Sequence, residues 1–503
     1  MGPHGGATMQ NLKTYKLYIA GEAVEPAGGE WFETVNPFTA KPWALIPRGG
    51  EADVEAAVEA ADAAFTHGPW PALSATARGA LLCRFADLVA EHAGRLAEIE
   101  VRDNGKLITE MRAQLNYLPQ WYRYFGGLAD KIEGAVLPID KPGMFTYTRH
   151  EPFGVVAAIT PWNSPLLLAS WKLAPALAAG NTVVVKPSEH TSASMLEFAE
   201  LFAEAGFPPG VVNVVTGFGA DVGGPLGAHS KVAKVAFTGG EAGGRSVYEA
   251  AARGLKPVTL ELGGKSPNIV FDDADIEGAV RGVVSGIFAA TGQTCIAGSR
   301  LLVQDSIHDA FTERLVAFAA TARMGDPADA ETQVGPITTK PQYAKVLDYI
   351  QVARDEGAEC VLGGGPADRP ECGDGWFVEP TIFTGVDNRM RIAQEEVFGP
   401  VLSVIRFRDE DEAVAIANDI PYGLAAGVWT QSIKRAITVS ERLRAGTVWV
   451  NTYRAVSFMS PFGGFKRSGM GRENSQEAIR EYLQTKSVWI STADEVPDPF
   501  VIR

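Results

Sequence analysis

Cysteine is scarce in this chain. Its 503 residues contain only Cys83, Cys295, Cys360 and Cys372. No two of them have the spacing of metal ligands, and four cysteines in so long a chain do not make a disulfide framework. We therefore expect no metal site and take a reducing cytoplasm as the compartment. The first eight residues also lack the apolar core of a secretory signal peptide.

Basic runs and long apolar runs are missing as well. The net charge is −15 and the pI is near 5.1, which argues against a nucleic-acid or anionic-membrane surface. No segment approaches the roughly 20 uninterrupted apolar residues of a membrane span. Hydrophobic residues make up 46% and charged residues 21% of the chain, as in an ordinary globular protein. We expect a soluble protein of two or three domains, without nucleic-acid or membrane partners.

Short β-branched runs alternate with helical stretches between residues 155 and 238. Buried strands are predicted at 155–160, 182–186, 211–216 and 232–238, with helices at 166–179 and 192–205. This alternation predicts a parallel, doubly wound sheet with helices on both faces. Ligands in such sheets bind at the carboxyl ends of the strands. Those ends hold Asn163, Lys186, Glu189, Gly217, Gly219 and Thr238.

A second α/β region begins near Gly263. Strands are predicted there at 266–271, 300–304, 397–407, 425–430 and 446–451, with helices at 278–290 and 306–322. Two polar, strand-like segments, at 140–152 and after residue 484, have no helical partner. The first of them is expected to form an exposed hairpin. Exposed edges of this kind are often covered by another subunit.

Cys295 lies in a glycine-punctuated loop of small residues, directly after the helix predicted at 278–290. Such a loop can present a sulfur to a substrate. A free cysteine is either a thiolate nucleophile or a small buried side chain, and the loop alone favours neither.

Two other polar residues follow buried strands. Glu261 precedes the Gly263–Gly264 break, where a carboxylate either acts as a general base or caps a turn. Asn163 follows the strand at 155–160, where an amide either donates to a developing oxyanion or serves as an ordinary turn residue.

A glycine-rich turn at 237–244 joins a strand to a helix. Free N–H groups at a helix start can hold a pyrophosphate, although this turn is not the usual G-x-G-x-x-G fingerprint. Lys186 and Glu189 lie beyond the second strand. They either bind a ribose together or form an ordinary exposed pair.

In this order, these pieces resemble the aldehyde dehydrogenase superfamily, in its NAD(P)-dependent, hydrolytic branch that does not acylate coenzyme A. Four motifs carry the resemblance, and the match extends from Tyr18 to Val488. They are Thr-Leu-Glu-Leu-Gly-Gly-Lys-Ser-Pro-Asn (259–268), Gly-Gln-Thr-Cys (292–295), Glu-Glu-Val-Phe-Gly-Pro (395–400) and Pro-Phe-Gly-Gly-Phe-Lys-Arg-Ser-Gly-Met-Gly-Arg (461–472).

The resemblance implies a covalent route from an aldehyde to a carboxylic acid. Cys295 would attack the aldehyde carbon, and Asn163 would hold the oxyanion of the thiohemiacetal. Loss of hydride would leave a thioester, which water activated by Glu261 would hydrolyse. Lys172 matches a lysine that the family places behind that glutamate as a proton relay. Its other interpretation is a helix lysine that reaches towards solvent.

The resemblance also implies NAD as the cofactor, with NADP as the alternative. The Glu189 carboxylate would repel a 2′-phosphate, which favours NAD. At Gly240 and Glu241 the family usually has serine and often threonine, so we expect somewhat weakened cofactor binding. The implied cofactor residues are Trp162, Lys186, Glu189, Gly219, Thr238, Gly239, Gly240, Leu262, Glu396 and Phe398.

An aromatic and apolar acyl pocket is implied too, which suggests an uncharged medium-chain or aromatic aldehyde. Arg454 is either a surface residue or an inward cation that would pair with the carboxylate of a semialdehyde. The implied pocket residues are Tyr117, Trp121, Trp171, Thr294, Ile296, Arg454, Val456 and Phe465.

The predicted fold class is α/β, with a doubly wound parallel-sheet cofactor domain, a second α/β catalytic domain and a small β oligomerisation arm. The expected dinucleotide-binding domain covers 1–135 and 153–263, the catalytic domain 264–468, and the oligomerisation segments 136–152 and 484–503. A homo-oligomer, either a tetramer or a dimer, is expected. A non-catalytic structural homologue is the alternative class, although such a chain would be expected to lose residues that are present here.

Overall fold

The computed structural model describes residues 12–495 and 498–500. Residues 1–11, 496–497 and 501–503, which belong to the predicted dinucleotide-binding domain and second oligomerisation segment, lie outside the described part. The strands are β1 (Lys13–Thr14), β2 (Leu17–Ile19), β3 (Glu22–Val24), β4 (Trp31–Asn36), β5 (Lys41–Pro47), β6 (Met144–Pro152), β7 (Val155–Ile159), β8 (Thr182–Lys186), β9 (Val212–Val214), β10 (Val232–Thr238), β11 (Val258–Glu261), β12 (Pro267–Val270), β13 (Arg300–Gln304), β14 (Glu359–Leu362), β15 (Thr381–Thr384), β16 (Val401–Phe407), β17 (Tyr422–Gly423), β18 (Ala425–Trp429), β19 (Thr447–Val450), β20 (Phe465–Lys466), β21 (Gly469–Met470) and β22 (Leu483–Ser491). The helices are α1 (Glu51–Thr66), α2 (Ala75–Asn104), α3 (Ile108–Tyr117), α4 (Pro119–Leu128), α5 (Pro165–Ala179), α6 (Ala193–Glu204), α7 (Gly224–Ala228), α8 (Glu241–Arg253), α9 (Ile276–Ile287), α10 (His308–Ala319), α11 (Lys340–Asp355), α12 (Arg391–Gln394), α13 (Glu410–Asn418), α14 (Ile433–Arg442) and α15 (Ser475–Arg480).

The first large sheet has the strand order β21-β11-β10-β7-β8-β9-β2-β3. Its central strands, from β11 to β9, run parallel, whereas β21, β2 and β3 are antiparallel additions at the edges. Every residue of β7 and β8 is buried, because helices cover both faces of such a sheet. The prediction of an α/β fold with a parallel sheet is confirmed, and β8 and β10 have the predicted bounds.

Helix α5 lies in the main core, which it shares with residues of α2, α4 and α6. Nearly all of its residues are buried, so its sequence is apolar around the whole circumference. Gly180 ends it in the left-handed region, with φ at 96°. One charged residue, Lys172, is thereby fixed inside the protein close to the end of β10.

The second large sheet has the order β14-β15-β16-β13-β12-β18-β19 and is parallel except at β14. Helix α9, which precedes the cysteine loop, ends at Ile287, three residues before the predicted end. A short 3₁₀ turn at Ala289–Gly292 takes over, with Ala290 and Thr291 in the left-handed region. This turn directs the following loop back towards the first sheet.

The segments at 140–152 and after residue 484 pair with each other. Strands β6 and β22 form an antiparallel two-stranded sheet from Leu483 opposite Pro152 to Ser491 opposite Met144. The prediction of an exposed hairpin over 140–152 is therefore wrong, because the partner strand comes from the far end of the chain. The predicted domain boundaries stay predictions. Strand β21, from beyond the expected catalytic domain, joins the first sheet.

Two properties of the described residues bear on function. Within 12–495 and 498–500, none of the helices combines the length and the apolar composition that crossing a membrane would require. In the same ranges, no three histidine, cysteine or acidic side chains are grouped closely enough to hold a metal ion.

Candidate active site

A cavity of about 620 Å³ opens at the carboxyl ends of β7, β8, β10 and β11. The register of the sheet brings these ends together, since Ile159 lies opposite Lys186, and Thr238 opposite Glu261. All ten predicted cofactor residues line the cavity, and so do three of the four predicted catalytic residues. The cavity is therefore the candidate site.

Cys295 lies on the cavity wall and is half-buried. The tight turn before it requires a glycine at position 292, where φ is 67° and a Cβ would lie 2.1 Å from the Gly399 carbonyl oxygen. The sulfur thus faces a cavity that a substrate can enter, as a nucleophile requires.

The protonation of Cys295 is set by its surroundings. Burial, together with the nearby carboxylates of Glu261 and Glu396, raises the pKa of the thiol to about 12, although the ammonium of Lys106 acts in the opposite direction. The free protein therefore holds a thiol at neutral pH, and a base must remove its proton before attack.

Asn163 is held at the base of the cysteine loop. Its Nδ2 donates to the carbonyl oxygen of Gln293 at 3.1 Å, and its side chain is buried. Gln293 is itself fixed, because its Oε1 accepts from the Thr338 amide and its Nε2 donates to the Pro336 carbonyl. The amide donor and the nucleophile thus belong to one rigid unit, which is the geometry that oxyanion stabilisation needs.

Glu261 ends β11 on the same cavity wall, and it is buried. Neither of its carboxyl oxygens has a hydrogen-bond partner among the described residues. Burial, and next the negative charge of Glu473, raises its pKa well above the usual value, although Lys172 opposes this. A carboxyl with this pKa and no partner is suited to accept a proton from a water molecule in the cavity.

Lys172 lies behind this carboxylate and outside the cavity wall. Its Nζ donates to Thr238 Oγ1 at 2.6 Å and forms a buried ion pair with Glu473. Sequence reasoning missed Glu473, which belongs to none of the four motifs. Its position just after the last motif was the only available signal.

Lys186, the last residue of β8, and Glu189, three residues later, form the predicted pair. The Lys186 Nζ lies 2.9 Å from Glu189 Oε2, and the lysine is buried. Although burial raises it, the ammonium of Lys186 keeps the pKa of Glu189 below its usual value. A fixed carboxylate at this end of the cavity fits the hydroxyls of a ribose.

Helix α8 begins at the cavity wall with open backbone donors. Its first turn has no side-chain cap, and Gly239, Gly240 and Gly243 line the cavity. A Cβ at Gly240 would meet no atom within 4 Å, so the serine that the family usually has would fit there. Uncapped amides at a helix start fit a pyrophosphate, and the residues present therefore fit a dinucleotide.

The opposite wall comes from the second sheet. Glu396 Oε1 accepts from the Gly264 amide at 2.9 Å, and a Cβ at Gly263 would collide with this carboxylate. The ring of Phe398 meets Trp162 edge-on, with centroids 5.2 Å apart. Gly263 therefore allows Glu396 to approach the end of β11.

Two further residues of this wall were missed in the sequence. Gln342 and Lys345 lie on α11 and line the cavity. Gln342 Nε2 donates to the carbonyls of Val397 and Phe398 at 2.8 and 2.9 Å. Their helix carries none of the motifs, so only the tertiary structure reveals them.

Aromatic side chains pack around Trp171, which lies on the same helix as the cavity residue Leu168. Trp171 lies one helical turn after Leu168, which lines the cavity, and it stacks on Trp121 with centroids 6.2 Å apart. Tyr117 meets Trp121 edge-on at 5.1 Å. Ile296 and Val456 pack within or against the same core, as the half-buried Cys295 does. We call this the aromatic cluster; its rings are those of Tyr117, Trp121, Trp171, Phe458 and Phe462.

The assignment of Phe465 to the pocket needs correction. Phe465 lies in β20, pairs with Gly423, and its ring packs against the Arg472 guanidinium instead of the cluster. Phe462, three residues earlier, faces Trp171 at 5.0 Å. The sequence motif identified the correct loop but not which of its two phenylalanines turns inward.

Arg454 was considered either a surface residue or an inward-pointing cation, and the structure places it between these two alternatives. Its side chain is 21% exposed, and its Nη1 lies 3.3 Å from the Ser285 carbonyl and 3.8 Å from Glu110 Oε1. The backbone at Arg454 is left-handed, with φ at 64°. Its charge is thus partly balanced by Glu110 within the protein. Thr294 is half-buried beside the nucleophile.

Together, the parallel sheet, the uncapped helix start and the cavity-facing cysteine define a dinucleotide-dependent enzyme of the α/β class. Comparison with known proteins identifies the family. The model of the aldehyde dehydrogenase family matches residues 23–488. The chain therefore belongs to the aldehyde dehydrogenase family, and it is an NAD(P)-dependent oxidoreductase.

Individual relatives agree with this assignment. The chain is 48% identical to the (Z)-2-((N-methylformamido)methylene)-5-hydroxybutyrolactone dehydrogenase of Acinetobacter baylyi, over 98% of this chain and all of that protein. It is 46% identical to cytosolic aldehyde dehydrogenase 1 of Rattus norvegicus, over 96% of each. Its structure is similar to that of Staphylococcus aureus betaine aldehyde dehydrogenase in complex with NAD+, with a TM-score of 0.96, 41% identity and 98% of each chain covered.

Proposed function

We propose that this chain oxidises an uncharged apolar or aromatic aldehyde to the carboxylic acid through a thioester on Cys295. One observation carries the proposal: Cys295, Asn163 and Glu261 lie on the wall of the cavity that also contains the predicted cofactor residues. A nucleophile, an oxyanion donor and a base in one cavity are what acyl chemistry with a covalent intermediate requires.

The residues divide the reaction into two halves. In the first, Cys295 gives its proton to water in the cavity and attacks the aldehyde carbon, and the Asn163 amide stabilises the oxyanion of the thiohemiacetal. Bound NAD+ supplies a hydride acceptor, so collapse of the adduct leaves a thioester. In the second, Glu261 takes a proton from water, which hydrolyses the thioester and frees Cys295. Burial chiefly raises the pKa of Glu261, and two charged residues behind it act in addition: the carboxylate of Glu473 raises the pKa, and the ammonium of Lys172 lowers it.

The acid at position 189 supports a preference for NAD over NADP. Its carboxylate is ionised and fixed by Lys186 at the cavity wall, so a 2′-phosphate placed there would be repelled. We expect kcat/KM to be at least about tenfold higher with NAD+ than with NADP+. Equal values for the two cofactors would contradict this role of Glu189.

The aromatic cluster supports an uncharged substrate. Trp121, Trp171 and Phe462 belong to the core against which Cys295 packs, and we take these rings as the apolar wall of the acyl site. Stacked rings favour flat or aliphatic groups. The named relatives act on different compounds, because the Acinetobacter protein is named for a lactone and the Staphylococcus protein for betaine aldehyde.

The second candidate, a semialdehyde held by Arg454, is favoured by the half-buried position of that arginine, although Glu110 already balances part of its charge.

A substrate panel separates the two candidates. We expect a neutral aromatic aldehyde to exceed a dicarboxylic semialdehyde in kcat/KM by about tenfold or more, because the cluster offers no charged partner. Arg454→Ala should leave the value for the neutral aldehyde within about threefold of the wild type. A preference for the semialdehyde that disappears in Arg454→Ala would instead establish the second candidate.

The β6–β22 sheet supports a homo-oligomer, and the name of one relative supports a cytoplasmic location. Met144, Phe145, Trp489 and Ile490 on these strands are 41% to 55% exposed, and an isolated two-stranded sheet is marginally stable without a covering partner. The name of the rat relative describes it as cytosolic. We expect sedimentation to show a dimer or tetramer, and Trp489→Lys to shift the protein towards a smaller species. A monomeric wild type would contradict the proposal.

A further inference from the structure

Helix α8 begins with an acid at the place where the cofactor site needs positive charge. Its first residue is Glu241, which directly follows Gly240 of the cavity wall. An acid in the first turn stabilises a helix. Beside amides that would hold a pyrophosphate, however, the same carboxylate would repel the ligand.

Two arginines hold this carboxylate. Arg467 Nε and Arg245 Nη2 reach the same oxygen of Glu241 at 3.0 and 2.9 Å, and Arg467 Nη2 also contacts it. The Glu241 side chain is 21% exposed, so the group lies partly shielded at the rim. One negative and two positive charges leave this group with a net positive charge.

The ion pair between Glu241 and Arg467 joins two parts of the fold. Arg467 lies between β20, which pairs with β17, and β21, which pairs with β11 of the first sheet. Glu241 belongs to the helix that follows β10 of the same sheet. The ion pair therefore fixes the connecting loop across the start of α8, next to Gly240 of the cavity wall.

The charge of Glu241 extends into the site. Burial chiefly raises the pKa of Glu396 in the cavity wall, and Glu241 is among the charges that raise it as well. Although partial burial raises it, hydrogen bonds from Arg467 and Arg245 keep the pKa of Glu241 below its usual value. Glu241 is therefore ionised throughout the neutral range. Its negative charge is balanced by the two arginines and not by a proton.

We propose that Arg467 is a positioning residue for cofactor binding: it neutralises Glu241 and holds the carboxylate at the rim, away from the amides of α8. The inference rests on the proposed cofactor site. It explains how this chain tolerates an acid at position 241, where repulsion of the pyrophosphate alone would weaken binding.

The proposal is tested by measuring the binding of NAD+ to the purified full-length protein. Quenching of tryptophan fluorescence reports the binding. Arg467→Met removes the cation but keeps a side chain of similar length, and we expect the dissociation constant to rise about 3- to 10-fold. Adding Glu241→Thr to this variant should restore most of the affinity, because the acid that only Arg245 then balances is gone. The effect of Arg467→Met should shrink in high salt.

Arg253→Met is the matched control, since it removes one exposed arginine from the last turn of the same helix. It should leave the dissociation constant within about twofold of the wild type. Arg467→Met that binds NAD+ as tightly as the control would overturn the proposal, and so would a double variant no tighter than Arg467→Met. A wild type that does not bind NAD+ would overturn the cofactor site itself. The wild-type measurement therefore tests the cofactor site, and the variants test the role of Arg467.

Discussion

Cys295→Ala abolishes aldehyde-dependent NADH formation. We expect kcat to fall by a factor on the order of 10⁴ or more, because Cys295 is the only cysteine among the described residues that line the cavity. The substitution removes one atom from a half-buried loop residue, so the fold and the cofactor walls remain. Steady-state NADH production is the measurement, and the dissociation constant of NAD+ should stay within about threefold of the wild type.

Cys83→Ala is the control for this result. Cys83 is also a half-buried free thiol, but it lies on α2 and does not line the cavity. It should retain wild-type turnover within about twofold. NADH formation that survives in Cys295→Ala would rule out the thioester mechanism. Loss of activity in both variants would point to a general effect on stability instead.

The central strands of the first sheet were predictable because their continuous apolar runs are stable only in the buried interior of a sheet. β8 and β10 consist mainly of buried apolar residues and end at a polar residue, Lys186 and Thr238. Their predicted bounds are correct, and β7 ends one residue earlier than expected. Where function overrides local propensity, the prediction was less accurate. β16 begins at Val401, not at 397, because the residues before it form the cavity wall, with Phe398 in the left-handed region.

Pairings between distant segments escaped the sequence. Nothing in residues 140–152 indicates that their partner is β22, because alternation of polar and apolar residues specifies a strand but not its neighbour. The same holds for the ion pair between Glu241, in the glycine-rich turn, and Arg467, in the last motif. The odd acid at position 241 was visible in the sequence, whereas the cation that balances it was not.

The site was predictable where residues end strands and less so where they project from helices or loops. Strand ends marked Asn163, Glu261, Lys186 and Thr238, and a glycine turn marked Gly239 and Gly240, whereas Glu396 and Phe398 came from the family resemblance. Gln342 and Lys345 lie on an ordinary amphipathic helix, and Glu473 emerges from a loop. Phe462 and Phe465 both belong to one motif, and only the packing against Trp171 distinguishes them.

Glu261→Gln separates the two halves of the reaction. Glutamine keeps the shape of the side chain but cannot accept a proton from water. We therefore expect steady-state turnover to fall by about 10²- to 10⁴-fold. Hydride transfer precedes the lost step, so rapid mixing should still show a burst of NADH close to one equivalent per Cys295. No burst, or turnover that is unchanged, would contradict the assignment of Glu261 as the deacylation base.

The pH dependence tests the same assignment from the electrostatic side. Burial and Glu473 raise the pKa of Glu261, so the carboxyl is neutral below that pKa and becomes a base only above it. Wild-type turnover should therefore rise with pH until Glu261 is ionised. Glu473→Gln removes a neighbouring negative charge and leaves Lys172 unopposed, and both changes favour the ionised form of Glu261. The rising limb of the pH profile should consequently move to lower pH in Glu473→Gln. A limb that stays in place, or moves to higher pH, would show that another group controls deacylation.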